Sequence, residues 1–274
     1  MPTAFQLSTA DGLQLEGKYF LPTSEMKGVI ILLHGMGEHF GRFTHVAEFF
    51  RTRGYATIGM DHRGHGLSTG KRGHTPSFSH LMSDIDLLLE KTRELFPGSP
   101  LILYGHSMGG SLAANYALRK KPQVKGLILT GPYFKLGFEP PAWKVATANI
   151  MAGIFPSLTL PTALEKAALS RDPAVVEAYK KDPLVHDKIS TAFFSEVHAA
   201  GLYAIDHASE LQVKTLAMHG PADRLTSPDG TKAFAKNNPE QIKLKLWDGF
   251  FHEIHNEPGK EQVFDYMATW IENL

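Results

Sequence analysis

The sequence of 274 residues predicts an α/β fold with a mainly parallel central sheet, helices on both faces and a helical insertion. Short continuous apolar runs alternate with segments whose apolar residues recur at helical spacing. This alternation is typical of parallel strands joined by helices, because both faces of such a sheet are covered. It stops near Gly131, and from about 135 to 209 the pattern is helical, apolar and interrupted by prolines.

The order of the elements follows from the same patterns. FQLSTADGLQLEGKYF alternates around Asp11-Gly12, which predicts a β-hairpin. Further strands are predicted at VIILLHG (29–35), YATIGMD (55–61), PLILYG (100–105), VKGLILTG (124–131), TLAMHG (215–220) and KLKLW (243–247). Helices are predicted at GRFTHVAEFFRTRG, SFSHLMSDIDLLLEKTREL, SLAANYALRK and EQVFDYMATWIENL. We therefore expect a core of residues 1–134 and 210–274, with a helical cap of residues 135–209 inserted after the sixth strand.

The overall composition excludes some classes of function. The chain has 28 basic and 28 acidic residues, so its formal net charge is zero, which argues against nucleic acid as a partner. It has no cysteine, which excludes disulfides and thiol nucleophiles. The start, MPTAFQLSTADG, lacks the pattern of a signal peptide, and apolar runs are too short to span a membrane. We expect a cytoplasmic protein.

The segment Gly105-His106-Ser107-Met108-Gly109 lies between a predicted strand and a predicted helix. Gly-x-Ser-x-Gly in this context is the signature of a nucleophile elbow, where small neighbours allow a strained turn to expose the serine hydroxyl. The alternative is a chance match in an ordinary turn. The strand–turn–helix context favours Ser107 as a nucleophile.

A nucleophilic serine needs a base, and the base needs an acid that orients it. Asp223 follows the predicted strand 215–220, and His252 precedes the last helix, so both fall at the sheet edge that carries Ser107. The competing acids are Asp229 and Asp248, and the competing bases are His219 and His255. Asp229 falls within or before a helix and Asp248 in a Trp-Asp-Gly turn, so placement together with the order serine, acid, histidine favours Asp223 and His252. His219, at the end of its strand, stays a minor candidate for the base, and His255 is expected to share the pocket without being the base.

An oxyanion hole is expected from two backbone N–H groups. One is that of Met108, the residue after the nucleophile, and the other is that of Met36 in HGMGE, after a buried strand.

Several segments carry a family resemblance: HGMGEHFGRF (34–43), DHRGHGLSTG (61–70), GHSMGG, DPLVHDKIS (182–190), HGPADRLTSP and FFHEIHNE. With them the chain resembles serine hydrolases of the α/β-hydrolase fold, and more closely monoacylglycerol lipases and the lysophospholipase-like proteins grouped with them. The resemblance implies Ser107, Asp223 and His252 as a triad and Met36 and Met108 as oxyanion donors.

The resemblance also implies a polar pocket for the glycerol leaving group, formed by Glu38, Arg42 and His255. Alternatively, Glu38 and Arg42 form only a surface salt bridge, and His255 is a solvated histidine. Asp61, Arg63 and His65 are expected to brace the loop that contains them.

The implied activity is hydrolysis of monoacylglycerols to fatty acid and glycerol through an acyl-enzyme, without metal or cofactor. The alternatives are a lysophospholipase, a general carboxylesterase, or a catalytically silent α/β-hydrolase that binds a ligand. The apolar segment VATANIMAGIFPSLTLP (145–161) could line an acyl-chain tunnel and touch a membrane or micelle, or simply pack the cap onto the core. The expected partner is a small lipid ester, with transient contact to lipid surfaces.

Overall fold

A computed structural model describes residues 1–138 and 150–274. The strands are β1 (Thr3–Ser8), β2 (Gln14–Phe20), β3 (Gly28–Leu33), β4 (Tyr55–Met60), β5 (Leu101–His106), β6 (Gly126–Thr130), β7 (Thr159–Pro161), β8 (Lys188–Ser190), β9 (Thr215–His219) and β10 (Ile242–Leu246). The longer helices are α1 (Thr44–Arg51), α2 (Phe78–Leu95), α3 (Met108–Lys120), α4 (Pro173–Lys181), α5 (Thr191–Asp206), α6 (Pro228–Lys236) and α7 (Lys260–Glu272).

Eight of these strands form one sheet in the spatial order β1-β2-β4-β3-β5-β6-β9-β10. Strand β2 runs antiparallel to β1 and β4, and every other neighbouring pair in this sheet is parallel. The predicted hairpin is confirmed: Ser8 pairs with Gln14, and Gly12 in the turn has φ of +86°. The mostly parallel sheet with flanking helices is that of the α/β-hydrolase fold, as predicted.

Strand β3 shows why its sequence is continuously apolar. Val29, Ile31 and Leu33 belong to one apolar cluster, together with α2, α3, α5 and α6. Ile30 and Leu32 belong to a second cluster on the other face, together with α1 and α7. Since successive side chains of a strand point to opposite faces, both faces of β3 are buried.

The loop after β4 is held by carboxylate side chains. Asp61 accepts hydrogen bonds from the N–H groups of Phe40 (2.9 Å) and Leu67 (2.8 Å). Arg63 donates to Asp84 through Nε at 2.6 Å and to Asp11 through Nη1 at 2.8 Å. These contacts tie the loop to the β3–α1 connection, to α2 and to the hairpin turn. They match the bracing role expected for this segment.

The segment after β6 differs in part from the predicted helical insertion. It contains α4 and α5, but also a small antiparallel pair in which Thr159 of β7 faces Ser190 of β8. Strands of three residues are too short to show an alternation of apolar and polar side chains, and the two strands are far apart in the sequence. Sequence patterns therefore do not predict this pair. Residues 139–149, including the first part of the apolar segment 145–161, lie outside the described residues.

Helix α5 lies within the predicted cap but packs on the core. Phe193, Val197 and Ala200 belong to the apolar cluster that contains α3. The side-chain amide of Asn115 in α3 also donates to the carbonyl of Ala200 at 2.8 Å. The extent of a cap within 135–209 stays a prediction. Among the helices that the structure describes, none combines the length and apolarity needed to cross a bilayer.

Candidate active site

The Gly-x-Ser-x-Gly segment forms a sharp turn between β5 and α3. Ser107 has φ of 53° and ψ of −119°, in the left-handed half of the φ range that non-glycine residues rarely adopt. A Cβ atom on Gly105 would overlap the carbonyl of Gly109, and one on Gly109 would overlap the carbonyl of Leu33. The two glycines therefore allow the strand and the helix to approach each other behind a strained serine.

The loop after β3 lies beside this turn. A Cβ atom built on Gly35 would be 3.1 Å from the Cβ of Ser107. The N–H of Gly35 donates to Oε1 of Glu38 at 2.7 Å, which fixes the direction of the following peptide units. Met108 is the first residue of α3, where backbone N–H groups have no acceptor within the helix. Met36, Ser107 and Met108 all line one cavity.

Asp223 lies in the loop after β9, with its side chain buried. Its Oδ1 accepts hydrogen bonds from the N–H groups of Leu225 (2.7 Å) and Thr226 (3.1 Å). Its Oδ2 is 2.7 Å from Nδ1 of His252. Burial alone would raise the pKa of Asp223, but His252 and His219 lower it well below its usual range. The carboxylate is therefore ionised.

His252 completes this arrangement. An ionised carboxylate only accepts hydrogen bonds, so the proton of neutral His252 belongs on Nδ1, which leaves Nε2 as a base. Burial by itself lowers the pKa of His252, but the charge and hydrogen bond of Asp223 outweigh burial and raise it. The N–H of Glu253 donates to the carbonyl of Leu169 at 2.8 Å, which anchors the histidine loop. His252 lines the same cavity as Ser107.

The other candidates for the acid and the base do not line the cavity in the structure. Asp229 is in α6 and pairs with Lys232 at the surface, 2.8 Å away, and Asp248 is exposed in the turn after β10. His219 is fully buried at the end of β9, with Nε2 at 2.9 Å from Oδ2 of Asp223. It therefore faces the carboxylate rather than the cavity.

Glu38 and Arg42 belong to a buried ion cluster. The Arg42 guanidinium donates to Glu38 and makes a bidentate contact to Glu253, with distances of 2.7 and 2.8 Å. The side chains of Arg42, Glu38 and Glu253 are only 10%, 4% and 2% exposed. Burial would raise the pKa of Glu253, but Arg42 lowers it to about 2. Sequence patterns do not point to Glu253, because a contact with a residue 211 positions away leaves no local signal.

His255 is buried on the far side of the histidine loop. Its ring stacks on Phe43 with centroids 4.7 Å apart and lies 4.5 Å from the ring of His106. Burial lowers its pKa well below the usual range, so it is neutral. Other residues form the described walls of the cavity. Glu38, Arg42 and His255 thus lie behind the triad loops, and the structure does not bring them to the cavity that Ser107 opens into.

The buried cluster gives a testable stability prediction. We expect Arg42→Ala to lower the free energy of unfolding by about 3–5 kcal/mol, because it leaves two buried carboxylates without their cation. Urea unfolding measures this loss. Arg53→Ala is the control, since Arg53 pairs with Asp265 at the surface and should cost about 1 kcal/mol. Equal small losses in both variants would contradict the account.

The cavity has a volume of about 660 Å³. Ser107 and His252 line it, and most of its other walls are apolar side chains from the core and from the segment after β6. Those walls include Leu136, Phe138, Leu160, Leu164, Ile189, Phe194 and Val197. Arg224 and Glu165 also line it and form an exposed ion pair at 2.7 Å. An apolar pocket with few polar groups suits a ligand that is mostly hydrocarbon.

A comparison with protein families decides the class of the molecule. The sequence profile of the serine aminopeptidase, S33 family matches residues 24–259. The chain belongs to this family.

Some proteins of similar sequence carry an activity in their names. A monoacylglycerol lipase from Mycolicibacterium smegmatis is 33% identical over 262 residues, covering 95% of this chain and 93% of that one. The human monoglyceride lipase is 30% identical over 270 residues, covering 97% of this chain and 89% of that one. An uncharacterized abhydrolase domain-containing protein from Dictyostelium discoideum is 35% identical over 268 residues, but the chain spans only 28% of its length.

Solved structures agree with this assignment. The monoacylglycerol lipase of Paleococcus ferrophilus superposes with a TM-score of 0.86 at 31% identity, covering 93% of this chain and 97% of that one. A soluble variant of the Saccharomyces cerevisiae monoglyceride lipase has been solved with a substrate analog. It superposes with a TM-score of 0.90 at 24% identity, covering 99% of this chain and 95% of that one. The yeast structure shows the shared fold. This S33-family member is a serine hydrolase of the α/β-hydrolase fold and a carboxylic ester hydrolase.

Proposed function

We propose that this chain hydrolyses monoacylglycerols to fatty acid and glycerol, with Ser107, Asp223 and His252 as its triad. The observation that carries the proposal is that Ser107 and His252 line the same mainly apolar cavity of about 660 Å³, with His252 held by Asp223 at 2.7 Å. That volume falls within the range of about 300–1,000 Å³ typical of small-molecule sites. The names of the relatives from Mycolicibacterium smegmatis and Homo sapiens support the same substrate.

The proposed reaction begins when Nε2 of His252 accepts the proton of the Ser107 hydroxyl. Oγ of Ser107 then attacks the ester carbonyl, and the tetrahedral oxyanion accepts hydrogen bonds from the N–H groups of Met36 and Met108. His252 gives its proton to the departing glycerol oxygen. Water, activated by His252, then releases the fatty acid from the acyl-enzyme.

The charge of Asp223 serves both halves of this sequence. Its contact to Nδ1 holds the His252 ring with Nε2 available to Ser107. When His252 takes a proton, the neighbouring carboxylate stabilises the imidazolium that forms. Because two backbone N–H groups hold Oδ1, the carboxylate is oriented before the substrate arrives.

The buried ion cluster suggests a positioning role for Glu38 and Arg42. Glu38 holds the N–H of Gly35 in the oxyanion loop, and Arg42 joins Glu38 to Glu253, the residue after His252. The cluster therefore connects the loop of Met36 to the loop of the base. Contact of Glu38, Arg42 and His255 with glycerol stays a prediction, and their contacts in this conformation favour the positioning role.

A smaller cap than the one predicted fits the packing. In this proposal it comprises residues 135–190, since α5 packs on α3 and belongs with the core. The described part of this segment exposes large apolar side chains, among them Ile150, Ile154 and Phe155, each more than half exposed. Phe138 and Leu160 are also exposed and line the cavity, so the apolar surface continues into it.

This exposed apolar surface favours transient contact with a membrane or micelle that holds the substrate. Flotation with phosphatidylcholine liposomes tests the contact. We expect a fraction of the protein to float, and less of it when Ile154 and Phe155 are both changed to Ser. Flotation of neither protein would count against lipid contact.

A lysophospholipid is the second candidate substrate, favoured by the guanidinium of Arg224 in the cavity wall. Its ion pair with Glu165 already balances this charge, which favours the uncharged monoacylglycerol.

The test compares initial rates on monooleoylglycerol, oleoyl lysophosphatidylcholine and a short p-nitrophenyl ester. Fastest turnover of the monoglyceride supports the proposal. Preference for the lysolipid or the short ester would replace it with a lysophospholipase or a general carboxylesterase, and no turnover of any ester would indicate a silent ligand-binding protein.

The pH dependence of the reaction follows from the raised pKa of His252. The base must be neutral to accept a proton, so activity should fall as the pH decreases through that pKa. We expect the acid limb of kcat/KM for a short neutral ester to have its midpoint above about 6.5, the ordinary value for histidine. A stopped-flow series from pH 5 to 9 measures it. A midpoint well below 6.5 would mean that burial outweighs Asp223.

A further inference from the structure

Oδ2 of Asp223 has a second histidine beside it. His219, the last residue of β9, has 0% of its surface exposed. Its Nε2 lies 2.9 Å from Oδ2, and Nδ1 of His252 lies 2.7 Å from the same oxygen. The hydroxyl of Thr226 is a third neighbour of Oδ2 at 2.8 Å. One carboxylate oxygen thus faces three possible donors.

The hydrogen-bond network places a proton on Nε2 of His219. Nδ1 of His219 is 2.8 Å from the hydroxyl of Thr231 in α6, which can donate to it. An ionised Asp223 can only accept, so Nε2 of His219 must carry a proton. His219 therefore has a hydrogen-bond partner at both ring nitrogens and donates to the triad carboxylate through Nε2.

We propose that His219 is a positioning residue of the triad, which shares the charge of Asp223 and so limits how strongly Asp223 holds the proton of His252. The inference rests on the proposed roles of Asp223 and His252. Each donor to a carboxylate stabilises its charge, and the oxygen then attracts the remaining donors less strongly. His219 thereby keeps His252 able to release its proton to the leaving group. It neither touches substrate nor transfers a proton itself.

A substitution of His219 leaves the chemistry of the other ionisable groups around His252 unchanged. They come from four parts of the chain: Asp223 from the loop after β9, His106 from β5, Glu38 from the loop after β3, and Glu253 and His255 from its own loop. A change in the titration of His252 on substitution of His219 can therefore be assigned to the lost donor.

The test measures the pH dependence of kcat/KM for a short neutral ester in three variants. His219→Leu removes the donor at similar volume, and we expect the acid limb to move upward by about 0.5–1 pH unit, which is about three- to tenfold lower activity on the acid side. His219→Gln keeps an N–H donor, so the midpoint of its acid limb should equal that of the native enzyme. Thr231→Val removes a buried hydrogen bond on the other side of the ring but leaves Asp223 its donors, so its midpoint should not move.

An unchanged or lowered midpoint in His219→Leu would overturn the proposal and leave His219 a purely structural residue. So would an equal upward shift in Thr231→Val, since that would reflect loosening of the fold. If His219→Leu does not fold, His219→Asn replaces it, because its shorter amide does not reach Oδ2. Failure of the triad itself is distinguishable, since Ser107→Ala would then retain ester hydrolysis and the wild-type enzyme would show no acid limb.

Discussion

Ser107→Ala is expected to lower kcat for monooleoylglycerol by a factor of about 10⁴–10⁶. The substitution removes the oxygen that attacks the ester, while the oxyanion donors and the apolar cavity remain. Binding of the substrate should therefore change little, and the loss should appear in kcat. Initial rates of oleate release measure it.

Ser111→Ala is the matched control for this variant. Ser111 lies one helical turn further along α3, and its hydroxyl is buried without a hydrogen-bond partner in the part of the chain that the structure describes. Its removal should leave kcat within about threefold of the native value. If Ser107→Ala kept most of the activity, the nucleophile would have to be sought elsewhere.

Asp223→Asn is expected to lower kcat by a factor of about 10⁴. The amide group of asparagine can donate toward Nδ1 of His252, which would move the proton of the neutral ring to Nε2. His252 would then face Ser107 with a donor instead of a base. The loss of negative charge also removes the stabilisation of the imidazolium.

The control for this second variant is Asp229→Asn, because Asp229 was a competing acid in the sequence and pairs with Lys232 at the surface. It should leave kcat/KM unchanged within error. A small loss in Asp223→Asn, together with a large loss in Asp229→Asn, would reverse the assignment of the acid.

Local sequence patterns were sufficient to predict the sheet and the elbow. The continuous apolar run at 29–35 predicts a strand that is buried on both faces, and β3 does contribute to two apolar clusters. Gly105 and Gly109 stand out because a Cβ at either position would overlap backbone atoms. Such constraints act within a few residues of the chain, so they are visible in the sequence.

Long-range contacts were not predictable in the same way. The bidentate pairing of Arg42 with Glu253 joins residues 211 positions apart, and the short pair β7–β8 has no periodicity. Helix α5 lies within the predicted insertion by position, and its packing on α3 joins residues such as Asn115 and Ala200, which are 85 positions apart in the sequence. The sequence offers His219 as a competing base, and only its contact with Asp223 reveals the role proposed for it.

The central claim is that the hydroxyl of Ser107, in the apolar cavity, is the nucleophile for glycerol esters. Covalent labelling with an alkyl fluorophosphonate, mapped by peptide mass spectrometry with and without monooleoylglycerol, tests it most directly. We predict a single adduct on the peptide that contains Ser107, formed more slowly as the monoglyceride concentration rises. An adduct on another residue, or labelling of Ser107 at a rate that saturating monooleoylglycerol does not change, would contradict the claim.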